Sequence, residues 1–230
     1  MNAFYVSQPD TLRFTDDAIA EGVGPASRLL LKFGLFFFDY DLDGRLDVLT
    51  ANGHLEEDIN KIQASQHYRQ PAQLFWNRGA ARGVSFVPVP AEKCGPDLFQ
   101  PIVGRGSAYA DIDGDGDLDV VLTQIGGPPL LLRNDQTLRH HWLRLKLTGN
   151  PERHHSRDAI GACVKIRLAN QTLSRVVMPT KSYLSQSELP VTIGLGAATR
   201  LDEVTVLWPG GASQKVPNLK LDALNEIREP

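Results

Sequence analysis

Two stretches place carboxylates at alternate positions of a tight, glycine-containing turn. In the first, Asp39, Asp41 and Asp43 precede Gly44, with Arg45 and Asp47 beyond. In the second, Asp111, Asp113 and Asp115 precede Gly116, with Asp117 and Asp119 beyond. Alternate positions direct the carboxylates inward, and the glycine permits the sharp turn that follows. The backbone carbonyl of Arg45 or Asp117 adds an oxygen, and Asp47 or Asp119 closes the shell. An all-oxygen set of this kind suits a hard cation with six to eight ligands, and calcium is the expected ion. Without a cation, carboxylates packed this closely repel one another strongly. An EF-hand is excluded, because its bidentate Glu at position twelve is replaced by Thr50 and Leu122 and the flanks are β-branched and aromatic.

The elements that position these loops recur with them. Gly34–Asp39 aligns with Gly106–Asp111, an apolar run ending in aspartate in each case, and Val48–Thr50 aligns with Val120–Thr123. Upstream, Arg13–Thr15 matches Ser85–Val87 at the same offset. Leu74–Asn77 resembles Leu131–Asn134, and Ala3–Val6 reads as a weaker copy. A polar insertion from Gly53 to Gln73 interrupts the first repeat and is expected to be a loop with a helical turn. Short strands joined by turns, repeated in this way, predict propeller-type blades.

Near Thr137 the texture changes. Strands are expected at His141–Leu147, Val164–Leu168, Ser174–Met178, Val191–Leu195 and Val204–Trp208, separated by turn formers such as Gly149–Pro151, Ala169–Gln171 and Pro209–Gly211. The expected architecture is all-β: residues 1–136 form a partial β-propeller of about two blades, and residues 137–230 form a small antiparallel sandwich or barrel.

The formal net charge of −3 argues against a nucleic-acid partner. No apolar run is long enough to span a bilayer, and Met1–Val6 lacks the pattern of a secretory signal. Cys94 and Cys163 lie in different halves and read as ordinary small residues rather than a disulfide.

These residues resemble known families. Phe33–Gly34 leading to Asp39–Asp47, and Gly106–Ala110 leading to Asp111–Asp119, look like the FG-GAP (VCBS-type) repeats of calcium-binding β-propellers. His141–Leu143, Ser156–Ala162, Tyr183–Gln186, Gly194–Gly196 and Asp202–Val204 running to Trp208–Gly210 resemble the ASPIC/UnbV domain of the cartilage acidic protein-like family. The resemblance implies calcium held within blades, an extracellular or periplasmic setting, a role in adhesion or binding to a protein or glycan, and no defined catalytic residues. Propellers close with more blades than two. The chain therefore reads as the C-terminal part of a larger propeller, or as one that self-associates or pairs with further blades.

Other constellations are weaker. His140–His141 and His154–His155 lack spaced acidic or cysteine partners for a transition metal. Ser107, Ser185 and the histidines lack a nucleophile-elbow motif. Trp76, Trp142 and Trp208 fall within strand patterns and read as core. The alternative function is an enzyme or biosynthetic accessory protein using a polar cleft near Arg157, Asp158 and Tyr183.

Overall fold

The computed structural model of the chain describes residues 1–8, 11–79, 83–153, 156–169 and 171–230. Strands make up 40% of the structure and helix 8%, in several mostly antiparallel sheets with no closed barrel.

The N-terminal half is built from repeated meanders. A two-stranded ribbon, β1 (Tyr5–Ser7) and β2 (Phe14–Asp16), comes first. A four-stranded sheet follows, made in sequential order by β3 (Lys32–Phe38), β4 (Asp47–Asn52), β5 (Gln73–Asn77) and β6 (Phe86–Pro88). The third sheet holds β7 (Gly104–Ala110), β8 (Asp119–Gln124) and β9 (Leu130–Leu132). Phe38 pairs with Asp47 as Ala110 pairs with Asp119, so each aspartate loop joins the first two strands of its blade. In the ribbon, Ser7 pairs with Phe14 as Asn77 pairs with Phe86 in the first blade. The ribbon thus repeats the third and fourth strands of a blade. Its alignment differs by one residue from the sequence match, with Phe4 rather than Ala3 standing opposite Leu74. The insertion forms a helical turn at Ile59–Ile62, as expected.

The apolar runs that precede each aspartate loop pack together. Phe36, Phe38, Leu49, Tyr109, Val120 and Leu122 are buried in one cluster between the two blades. Space there is tight enough to exclude a side chain, since a Cβ added to Gly34 would lie 2.4 Å from Ser107 Oγ.

The C-terminal half pairs two sheets. One has the order β13 (Val191–Gly196), β10 (His141–Thr148), β16 (Leu224–Arg228). The other has the order β12 (Gln171–Val176), β11 (Cys163–Leu168), β14 (Glu203–Leu207), β15 (Ser213–Lys215). Leu143, Leu145, Val164, Ile166, Ile193, Val206 and Trp208 bury between them, as alternation in each strand requires. Three expectations need correction. The strand expected at Ser174–Met178 starts at Gln171 and ends at Val176: the Val177 N–H still donates to its partner Ala162, but the Ala162 N–H turns away to the Ala159 carbonyl and the Val177 carbonyl accepts from Gly161 instead. β15 and β16 were not foreseen. The sheet is also not wholly antiparallel, because β16 runs parallel to β10.

Each half supplies partners for the other's strand edges. On β3, the Leu35 N–H donates to Ser182 Oγ at 3.0 Å. On β7, the N–H groups of Ser107 and Tyr109 donate to Ser185 Oγ and Ser187 Oγ at 3.1 and 3.2 Å. An exposed ladder edge is an invitation to wrong pairing, and these hydroxyls cover it.

Candidate metal centre

In the first loop, Asp39, Asp41 and Asp43 each bring a carboxylate oxygen within 4.8 Å of the others. The chain reverses through Leu42 and Gly44, both at positive φ (55° and 92°). Leu42 holds this conformation, which a leucine seldom adopts, while almost fully buried. Asp39 Oδ2 accepts from the Gly44 N–H at 2.9 Å and the Gly194 N–H at 3.1 Å. Among the described residues its Oδ1 is buried with no hydrogen-bond partner, and Oδ1 of Asp41 is buried without a well-formed one, although the Trp76 indole and the Asp43 N–H lie near that carboxyl. Burial pushes the Asp39 carboxyl up to about 7, and it raises Asp41 as well.

Asp47 sits differently. Its Oδ2 accepts from the Tyr40 N–H at 3.1 Å and its Oδ1 from the Asn77 N–H at 2.7 Å. Burial pushes its carboxyl up to about 9. Asp47 is therefore the clasp that ties the loop to the end of β5, while each oxygen keeps a second lone pair. Asp119 repeats the arrangement, accepting from Ile112 and Asn134 at 3.0 and 2.8 Å. This accounts for the recurrence of Asn77 and Asn134 in the sequence. Asn134 also donates from Nδ2 to the Tyr40 carbonyl at 2.7 Å, so the second blade braces the first loop.

Charge in the first loop is partly balanced. The Arg45 guanidinium pairs with Asp43 and donates from Nε to the Asn77 carbonyl at 2.7 Å. Arg175, from β12, lies 3.9 Å from Asp39 Oδ2 and donates to the Gly44 carbonyl at 2.9 Å. With all four carboxylates ionised, two guanidiniums leave a deficit that one divalent cation would close. Two buried oxygens without well-formed hydrogen bonds and a net negative pocket fit a calcium ion, whose affinity for carboxylate oxygen matches this donor set.

The second loop is more open. Asp111, Asp113 and Asp115 again bring oxygens within 4.8 Å, but Asp113 and Asp115 are exposed. Both oxygens of Asp111 are engaged, Oδ1 by the Gly114 N–H at 2.8 Å and Oδ2 by the Arg144 guanidinium at 2.6 Å. Arg144 also pairs with Glu188, whose carboxyl burial raises to about 7. The Asp117 carboxylate accepts from Gln136 Nε2 at 3.0 Å, and burial raises it to about 6. A Cβ on Gly116 would meet the Trp142 ring at 2.1 Å. Trp142 is therefore buried against this loop rather than in the sandwich, whereas Trp208 lies in the sandwich core and donates to Gln214.

Arg144, Arg175, Gly194 and Gly196 were not singled out as part of either site. Both arginines lie on strands where alternation places them on a polar face, and only the docking of the two halves makes them buried partners.

The remaining candidates are not brought together. His140 Nδ1 contacts the Asp41 carbonyl at 2.6 Å, His141 Nδ1 pairs with Asp222 at 2.7 Å, and His154–His155 lie outside the described residues. The Ser107 hydroxyl contacts Ser182 at 2.8 Å and Ser185 Oγ accepts from the Ser107 backbone, with no histidine at either. Arg157 and Asp158 are exposed, and no ion pair joins them among the described residues. Asp158 borders a shallow depression with Tyr109, Gln186 and Glu188 that neither Arg157 nor Tyr183 lines. Cys94 and Cys163 are free thiols, and no described helix is long and apolar enough to cross a membrane.

Comparison with known proteins follows the same division. Residues 39–122 match the model of the FG-GAP-like repeat, and residues 152–230 match the model described as ASPIC and UnbV. Cartilage acidic protein 1 of mouse and of human are each 29% identical over 133 residues, which is 55% of this chain. The matched stretch spans about a fifth of those proteins, 20% and 19% of their lengths.

Proposed function

We propose that this chain is an extracellular-type interaction module whose blades are held by structural calcium. Asp39, Asp41, Asp43 and Asp47, with the Arg45 carbonyl, hold one ion. Asp111, Asp113, Asp115 and Asp119, with the Asp117 carbonyl, hold the second. The observation that carries this reading is the pair of buried, unsatisfied oxygens on Asp39 and Asp41 inside a loop whose pattern occurs twice. A bound ion supplies positive charge and coordination to oxygens that no well-formed hydrogen bond satisfies among the described residues. The chain's own groups do the rest: Asp47 and Asp119 clasp each loop to the third strand, and the glycines set the turn.

Resemblance to FG-GAP and ASPIC/UnbV proteins supports an extracellular or periplasmic setting, where calcium is plentiful enough for modest-affinity sites. It also supports a protein or glycan as partner, and the pairing of these blades with others. The families are binding rather than catalytic in kind.

Calcium titration of the purified chain by calorimetry, with native mass spectrometry to count ions, tests the reading. Two bound ions are expected, with Asp41→Ala removing the first and Asp113→Ala the second. A folded chain that takes up no calcium at millimolar concentration overturns it.

A further inference from the structure

The first loop is covered on one side by an element more than 140 residues away in sequence. β13 is an edge strand: its inner side pairs with β10, and among the described residues no other strand pairs with its outer side. That outer edge rests on the aspartate loop. The Gly194 N–H donates to Asp39 Oδ2 at 3.1 Å, and the Gly196 N–H donates to the Leu42 carbonyl at 2.9 Å. Contact is so close that a Cβ on Gly194 would lie 2.2 Å from the Leu42 carbonyl carbon. Two further groups of the C-terminal half reach the same loop. His140 Nδ1 meets the Asp41 carbonyl at 2.6 Å, and the Arg175 guanidinium donates to the Gly44 carbonyl at 2.9 Å.

From this geometry we infer that the first ion site is a composite of both halves, with Gly194, Gly196, His140 and Arg175 as its positioning residues, so that calcium binding and docking of the C-terminal sheet are one coupled equilibrium. The inference rests on the calcium reading above. Its physical basis is that the edge of β13 needs acceptors at set positions. Asp39 Oδ2 and the Leu42 carbonyl stand at those positions only while the loop keeps its left-handed turn at Leu42. A cation drawing the free oxygens of Asp39, Asp41 and Asp43 together holds that turn. Without it the crowded carboxylates spread, and the acceptors leave the edge of β13. Reciprocity follows from linkage: the docked sheet raises calcium affinity by the same factor by which calcium favours docking. Among the described residues the second loop has no such strand-edge contact and meets the C-terminal half through side chains, with Arg144 pairing to Asp111 and the Trp142 ring packed on Gly116.

Hydrogen exchange on the full chain, in calcium and in chelator, reads the coupling at the amides that make it. Calcium is expected to slow exchange of Gly194 and Gly196 at least tenfold. Exchange of Val204 and Val206 in β14, in the other sheet, should slow by no more than the rise in global stability accounts for. Asp41→Asn should abolish the difference. His140→Ala, which leaves the core intact, should lower first-site affinity severalfold by calorimetry and leave the second site unchanged. If calcium binds at both sites but exchange at Gly194 and Gly196 does not respond, the coupling is wrong and the calcium reading stands. If no calcium binds, both fall.

Discussion

The carboxylate of Asp47 accepts a backbone N–H on each oxygen, whereas Oδ1 of Asp41, a few residues earlier, accepts no well-formed hydrogen bond among the described residues. The two aspartates therefore answer differently to removal of the ion. Asp47→Ala strands the N–H groups of Tyr40 and Asn77, at about 1–3 kcal/mol for each buried donor left unpaired. Urea denaturation in chelator should show a loss of about 2–6 kcal/mol. Asp41→Asn removes a charge from a buried, repulsive cluster while keeping its shape, so in chelator it should raise stability by about 1 kcal/mol. The gain that calcium gives the native chain should largely vanish in that variant. Equal losses in chelator for both variants would mean that Asp41 is a clasp as well. At this scale the sequence was readable where spacing is local: the alternating carboxylates and the turn at Gly44 lie within nine residues. That Asp47 binds backbone was not readable, because its partner Asn77 lies 30 residues away.

Among the elements, the edges of β3 and β7 depend on a segment that belongs to neither blade. Ser182, Ser185 and Ser187 present hydroxyls to the N–H groups of Leu35, Ser107 and Tyr109, and Phe33 packs on Tyr183 with ring centroids 5.3 Å apart. Replacing Ser182 and Ser187 together by alanine leaves donors on both edges unsatisfied. The double variant should lose about 2–4 kcal/mol in urea denaturation. It should also self-associate at concentrations where the native chain is monodisperse, because open edges pair. Light scattering and sedimentation check this; unchanged stability together with unchanged association would mean that water replaces the hydroxyls. In the sequence Tyr183–Gln186 stood out through its family resemblance, and the segment folds as a turn closed by the Ser182–Ser185 bridge rather than as a strand. The sequence did not reveal which strands receive the serine hydroxyls. β16 was missed because its five residues alternate only between half-buried and exposed, and its parallel partner β10 lies about 80 positions earlier. Strand existence in β10, β11, β13 and β14 was legible from period-two alternation alone, since each buries one face in the sandwich.

Taken as a whole, the molecule keeps its buried apolar clusters within each half, and much of the contact between the halves is polar. The blade cluster around Phe36 and Leu122 and the sandwich cluster around Leu143 and Ile166 are separate. Between them lie the two aspartate loops, the buried pairs of Arg144 with Asp111 and Glu188, and Arg175 beside Asp39. On the proposed calcium reading, an ion bound at this junction stabilises the native state as a whole. A ligand that binds only the folded chain adds about 2.7 kcal/mol when present at a hundred times its Kd. For a chain of this size about 1 kcal/mol moves the melting midpoint by roughly 2–4 °C. One filled site at that concentration should therefore raise the midpoint by roughly 5–11 °C over chelator, and two filled sites by about twice as much. Magnesium at equal concentration should give less than half the shift, because it sheds its waters reluctantly and demands a tighter octahedron than these loops offer. Scanning calorimetry across a calcium series checks the dependence: the midpoint should climb with the logarithm of free calcium once the sites are saturated. A midpoint that stays flat from chelator to millimolar calcium would show that the two halves hold together without an ion.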